Sequence, residues 1–153
     1  MEIAIRKATL EDIDLLMEWR MEVLHEVFSI PPLQNTDELE QENRAYYQRA
    51  LAQEEHIACF AYMEDNIVGC GGICLYQEMP SPDNPTGKCA YLMNIYTKPQ
   101  FRKRGVGEAI IKWLVAQAIM RGIPKIYLET SKAGKQLYTK LGFIPMQDMM
   151  KRP

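Results

Sequence analysis

Arg102, Lys103 and Arg104 stand directly before Gly105-Val106-Gly107, inside the run Ile-Tyr-Thr-Lys-Pro-Gln-Phe-Arg-Lys-Arg-Gly-Val-Gly at 95–107. A β-type run stops at Pro99 and a helix begins at the glycines. The corner therefore presents unpaired backbone N–H groups with the positive end of a helix dipole behind them. That combination binds anions, phosphate above all. Gly105 and Gly107 carry no Cβ, so a bulky diphosphate can approach the backbone and unusual φ values cost little. The same pattern also occurs at a plain helix start beside a solvated charge run, so its meaning depends on what surrounds it.

Other reactive side chains give weaker signals. Cys59, Cys70, Cys74 and Cys89 form no Cys-x-x-Cys pair and have no histidine at ligand spacing. They read as small buried hydrophobes with reduced thiols, and no metal site is expected. His25 and His56 read as surface or core-edge residues rather than bases.

The elements that must position the corner follow from periodicity. Apolar Ile3 and Ile5 alternate with polar neighbours over 2–8, which suits a first strand. Thr9, with Asp12 three residues on, starts a helix expected to reach about 29. A glutamate-rich helix follows over 36–53. Strands at 56–63 and 66–76 flank Glu64-Asp65, a hairpin composition. Gly69, Gly71 and Gly72 predict a bulge or a close backbone approach in the second of them. The stretch 79–87, with three prolines, is a loop expected to act as a flap over an acceptor site. A strand at 88–98, a helix at 104–121, a short strand at 126–128, a helix at 131–141 and a terminal strand over 143–151 complete the order.

The chain has 153 residues, the length of one domain, 1–153, with ordinary hydrophobic (47%) and charged (25%) content. Its apolar runs are short and broken by charge, and the first residues do not resemble a signal peptide, so a cytoplasmic, non-membrane protein is expected. The net charge of -2 conceals an asymmetry: residues 1–55 hold 13 acidic and 5 basic side chains, and residues 91–153 hold 3 and 12. A polyanionic partner suits the basic end, and a cationic acceptor suits the acidic end more loosely.

Together with Lys135-Gln-Leu-Tyr-Thr-Lys-Leu-Gly-Phe143, the corner resembles the GNAT superfamily of N-acetyltransferases. The first stretch is similar to that family's Arg/Gln-x-x-Gly-x-Gly/Ala acetyl-CoA motif and the second to its Leu-Tyr-x-x-Leu-Gly-Phe motif, and the element order agrees over essentially the whole chain. The resemblance implies a mixed α/β fold whose mostly antiparallel sheet is splayed between its fourth and fifth strands and flanked by about four helices. It implies acetyl-CoA as cosubstrate. Main-chain groups of Ile95, Tyr96 and Thr97 would pair with the pantetheine arm and steady the acetyl oxygen. Lys103, Arg104, Gly105, Val106, Gly107 and Glu108 would wrap the pyrophosphate beside Arg102. Ser131 and Lys135, at the start of the last helix, are placed with the cofactor. Relatives often carry an asparagine there, for which Ser131 substitutes as a helix cap. Lys103 replaces a frequent glycine, which a negative φ would tolerate.

Tyr138 occupies the position of the family's tyrosine that protonates the departing thiolate, a role a phenol with an ordinary pKa can fill. Glu129, after the Ile-Tyr-Leu strand, is the first candidate for the base. Tyr91 stands near where other relatives carry a glutamate.

The leading expectation is acetyl transfer to a primary amine of a small molecule or peptide by direct attack in a ternary complex. A binding module that senses acetyl-CoA without turnover is the alternative. A nucleotide-phosphate site lacks the Gly-Lys-Ser/Thr end of a Walker loop, and a pI near 5.7 disfavours nucleic acid. The terminal strand would offer an edge to a second copy, since dimers are common in the resembled family.

Overall fold

The computed structural model describes residues 2–146 and 148–153. Among these residues, five strands form one sheet in the order β1 (Ile3–Lys7), β2 (His56–Met63), β3 (Asn66–Gln77), β4 (Lys88–Thr97), β5 (Lys125–Leu128). The first four run antiparallel to their neighbours, and β5 runs parallel to β4. Four helices flank the sheet: α1 (Ile13–Val27), α2 (Asp37–Ala52), α3 (Val106–Met120) and α4 (Lys132–Lys140). This is the mixed, mostly antiparallel architecture that the sequence predicts. No helix among the described residues is long and apolar enough to cross a membrane.

Strand alternation sorts the core into two layers. Ile57, Cys59, Ala61 and Met63 of β2 pack with Ile110, Ile111 and Leu114 of α3. Ala58 and Phe60 turn to the other face, against Leu16, Met17, Trp19 and Val23 of α1 and Tyr47 of α2. Ile110 and Leu114 are fully buried, and burial of each such side chain stabilises the fold by about 1.5–3 kcal/mol. At Gly71 an added Cβ would lie 2.5 Å from Ile110 Cγ2, so the missing side chain is what lets α3 seat against β3.

Local signals at the helix starts are realised. Thr9 and Asp12 form the capping box, with the Thr9 N–H donating to Asp12 Oδ2 at 2.8 Å, although the first turn, Leu10–Asp12, is 3-10 rather than α. Ser131 caps α4 by accepting from the Gly134 N–H at 3.3 Å.

Two features of the sheet create the site. Gly72 pairs with Met93 and Cys70 with Tyr96, so β4 carries one more residue than β3 across that interval, a bulge with Asn94 at φ +59°. Meanwhile β5 leaves β4 after the pair Leu92–Leu128, whereas β4 continues to Thr97. The result is the expected splay between the fourth and fifth strands.

Three expectations are corrected. The terminal strand over 143–151 is absent among the described residues: 143–146 and 148–153 take an irregular path, and the expected span also includes Gln147, which lies outside them. Pro145 removes a ladder donor from its centre, and Ile144 and Met149 are exposed, so no alternating face is buried. The loop 79–87, expected as a flap, lines none of the cavities described below. It is tied at its base by the Glu78 N–H to Gly87 O bond at 2.8 Å and by Asn84 Nδ2 to Lys88 O at 3.1 Å. It also sits at the Lys88 end of β4, about 30 Å of strand from Thr97. Lys103, finally, adopts φ +62° rather than a negative value, because the turn requires a left-handed residue there. A non-glycine residue in that region costs about 1–2 kcal/mol.

Candidate active site

The corner between β4 and α3 is a recess of about 380 Å³ walled by Thr97, Lys103, Gly105, Gly107, Leu137 and Lys140. Gly105 precedes α3 with φ +84°, and an added Cβ there would meet nothing within 4 Å, so the glycine is required by its dihedral and not by crowding. The N–H groups of Val106, Gly107 and Glu108 open the helix and have no acceptor within it. Glu108 would be an unwelcome charge beside an anion, but Lys112 at 3.0 Å and Lys140 at 3.4 Å hold its carboxylate, the first of these chiefly keeping its carboxyl below the ordinary value. Arg104 lies over the Phe101 ring at 5.6 Å.

Arg102 is engaged differently from its sequence expectation. Its Nε donates to Thr97 O at 3.0 Å and its Nη2 pairs with Glu26 of α1 at 3.0 Å. The Tyr96 hydroxyl beside the same carboxylate, together with Arg102, holds the Glu26 carboxyl below its usual range. Arg102 therefore ties the loop to α1 while still lining the recess with Lys103, and Arg104, over Phe101, is not part of its wall.

Main-chain directions divide the three β4 residues. Lys98 N donates to Val68 O at 2.9 Å, toward β3. Alternation then turns Ile95 and Thr97 toward the gap left by β5, while Tyr96 pairs with Cys70 in the ladder and its side chain is buried against α1. Thr97 O is taken by Arg102, so the groups open to a ligand arm are the Ile95 and Thr97 N–H. The expectation that Tyr96 exposes its main chain alongside them does not fit this register.

A second cavity, about 550 Å³, joins Glu129, Thr130, Lys135 and Tyr138 with Phe143 and Met146. It brings the two expected catalytic residues into one wall. Tyr138 packs edge-on against Phe143, ring centroids 5.7 Å apart, and desolvation raises its phenol above the ordinary value, keeping it a proton donor at neutral pH. Gly142, at φ +95°, lets the chain turn so that the Phe143 N–H caps Tyr138 O at 3.0 Å. Ile126 and Leu128 of β5 pack toward α3, and alternation sends Glu129, one residue past the last β4–β5 pair, to the opposite face. There its carboxylate lies near Tyr91, and burial, with the charge of this carboxylate beside it, raises the Tyr91 phenol.

A third cavity, about 270 Å³, lies on the α1/α2 face and was not legible as a site in the sequence. Its wall includes Arg20, Glu42, Tyr46, His56, Cys74 and Met93. His56 is 5% exposed, a correction to its reading as a surface or core-edge residue. Tyr46 Oη lies 2.8 Å from its Nδ1 and 3.1 Å from Cys74 Sγ, and the Cys74 thiol donates to Met93 Sδ at 3.2 Å. Burial, helped by the nearby Arg20 charge, lowers the imidazole to about 4, so His56 is neutral at pH 7. Burial raises both the Tyr46 phenol and the Cys74 thiol, so the cluster is uncharged and none of its members is an activated nucleophile.

Comparison with known proteins agrees with this geometry. The family model described as acetyltransferase (GNAT) family matches residues 14–143. The chain is similar to thialysine N-epsilon-acetyltransferase of Sus scrofa, 31% identical over 91 residues, a match covering 45% of this chain and 54% of that protein. It thus spans about half the length of this curated relative. A solved structure described as a "predicted acetyltransferase with acetyl-CoA" from Clostridium acetobutylicum superposes with TM-score 0.87 at 29% identity, covering 99% of this chain and 96% of that one. A GCN5-related N-acetyltransferase from Ralstonia eutropha shares the fold, with TM-score 0.82 at 22% identity and 99% of each chain covered.

Proposed function

Because the chain belongs to the GNAT family of acetyltransferases, we propose that it moves the acetyl group of acetyl-CoA to a primary amine by direct attack in a ternary complex. The observation that carries this reading is the continuity of open donors: β4 outlasts β5, and its free Ile95 and Thr97 N–H groups lead to the uncapped amides of α3. Acetyl-CoA has a diphosphate, an amide-bearing arm and a thioester in that order. The open amides of 106–108 with Lys103 would hold the diphosphate. Ile95 and Thr97 would hold the arm and carbonyl oxygen. The named acceptor of the pig relative, an ε-amine, supports an amine as the second substrate.

Acetyl-CoA supplies an acyl group activated as a thioester, and the remaining work falls to this chain. The incoming ammonium must lose a proton, and the Glu129 carboxylate, near Tyr91 and in one cavity wall with Tyr138, would take it directly or through a water. The new C–N bond forms as the C–S bond breaks. Tyr138 gives its hydroxyl proton to the departing sulfur, which its raised phenol permits across neutral pH, and the second proton, shed by the newly acylated nitrogen, passes to solvent, from which the phenol is reprotonated.

Calorimetry with acetyl-CoA and thiol release with a panel of amines test the proposal. Binding together with amine-dependent thiol release supports it. Absence of acetyl-CoA binding to folded protein refutes it, and binding without turnover on any amine would favour a cofactor sensor.

A further inference from the structure

Arg20 is a cation on the wrong side of its helix. Leu16, Met17, Val23 and Leu24 of α1 are all buried, and Arg20 falls within their stripe. Drawing a guanidinium toward a core costs free energy unless its charge is answered. Here it is answered only by neutral oxygens: Nε donates to Asn43 Oδ1 at 2.9 Å and Nη1 to Asn94 Oδ1 at 3.0 Å. Three of the other charges on the same helix are already paired, Asp14 with Arg44, Glu22 with Lys98 and Glu26 with Arg102. No carboxylate among the described residues lies within ion-pair distance of Arg20. Two of its five N–H donors are used, and the rest of the group faces the 270 Å³ cavity.

We propose that this cavity takes the acceptor, and that the acceptor is a small amine also carrying an anionic group, a carboxylate or a phosphate, seated on Arg20. The proposal rests on the acetyl-transfer reading above and names its second substrate. Arginine offers a planar fork that matches either anion with two parallel bonds, and the two asparagines fix the fork's orientation. Glu42, on the rim of the same cavity, gives the site a negative end as well as a positive one. A volume of 270 Å³ holds about nine water-sized groups, the scale of an amino acid and far below a polypeptide or an oligosaccharide. The second asparagine, Asn94, is the bulged residue of β4, next to the Ile95 N–H that faces the gap. An anion held on Arg20 therefore anchors the acceptor beside the strand that carries the acetyl-facing donors. The acidic first third of the chain, which suggested a cationic acceptor, spends three of its α1 carboxylates on internal pairs.

Two matched pairs of acceptors test this with acetyl-CoA at saturation: L-lysine against 1,5-diaminopentane, and O-phosphoethanolamine against ethanolamine. In the wild type the anionic member of one pair should have a kcat/KM roughly tenfold to a hundredfold higher, and which pair shows it tells carboxylate from phosphate. Arg20→Gln should abolish the preference, and Arg20→Lys should retain part of it. Calorimetry with acetyl-CoA reports whether each variant is folded, and if Arg20→Gln is not, the wild-type pairs and Arg20→Lys decide. Equal or reversed preference in both wild-type pairs overturns the role of Arg20 while leaving acetyl transfer standing. If no amine is turned over, the acetyl-transfer reading has failed separately. Titration of hexanoate and of inorganic phosphate into wild type and Arg20→Gln then settles the anion site: binding that the variant loses upholds it, and no binding to the wild type overturns it.

Discussion

His56 provides a test of the α1/α2 cavity that requires no substrate. Its imidazole is lowered to about 4 in the folded chain, against an ordinary value near 6.5. Between these two values the unfolded chain binds a proton that the folded chain refuses, so stability rises with pH across that window and is lost as pH falls through it. At about 1.4 kcal/mol per pH unit, acidification from pH 7.5 to 4.5 should remove about 2.5 kcal/mol from this residue alone, with little further loss from it below pH 4. The carboxyls held low in the folded chain, Glu26, Glu78 and Glu108, lose their contributions below the ordinary carboxyl value, so they leave most of the His56 window clear. Urea unfolding at intervals across this range measures the effect, which amounts to about 0.8–2.5 M in midpoint for an m-value of roughly 1–3 kcal/mol/M. His56→Gln keeps an acceptor for the Tyr46 hydroxyl and removes the titration, so its stability should be nearly flat from pH 7.5 to 4.5. A wild-type curve that is equally flat, or a variant with the wild-type slope, would show that the imidazole is not held neutral in the cavity and would refute the reasoning.

Tyr138→Phe should lower kcat roughly a hundredfold and leave the acetyl-CoA Kd unchanged; unaltered turnover would remove Tyr138 from the acid role. With its phenol raised, the wild type should show no alkaline limb from this residue up to its ordinary pKa near 10. Gly105→Ala places a Cβ in open space but at φ +84°, so the cost is that of the dihedral, about 1 kcal/mol, read as a Tm lower by about 2–4 °C. Leu114→Ala, at a fully buried position between α3 and the sheet, should cost about 2–5 kcal/mol in urea unfolding.

The parts of the site that were legible in the sequence are those whose partners are adjacent in the chain. Gly105 and Gly107 declare a tight turn into a helix start with open amides without reference to anything distant, and the helix bounds followed from caps and period. What escaped depends on long-range pairing. Arg102 is claimed by Glu26, 76 residues away, and nothing local to either reveals it. The bulge at Asn94 becomes visible only when β4 is counted against β3. Two signals were present but unread: Arg20 shares the apolar stripe of Leu16 and Val23, and His56 shares the strand parity of Ala58 and Phe60, which faces α1 and α2. The terminal strand was overread because Phe143, Ile144 and Met146 have strand character, while Pro145 between them forbids a regular ladder.

Leu92 and Ile95 both face α3, although they are three residues apart, and Met93 and Tyr96 both face α1. Asn94 is thus a spacer that resets the parity of the strand halfway along. The residue count of this segment is therefore as consequential as its side chains, because one deletion would swap the two compartments for everything that follows, down to the turn before α3.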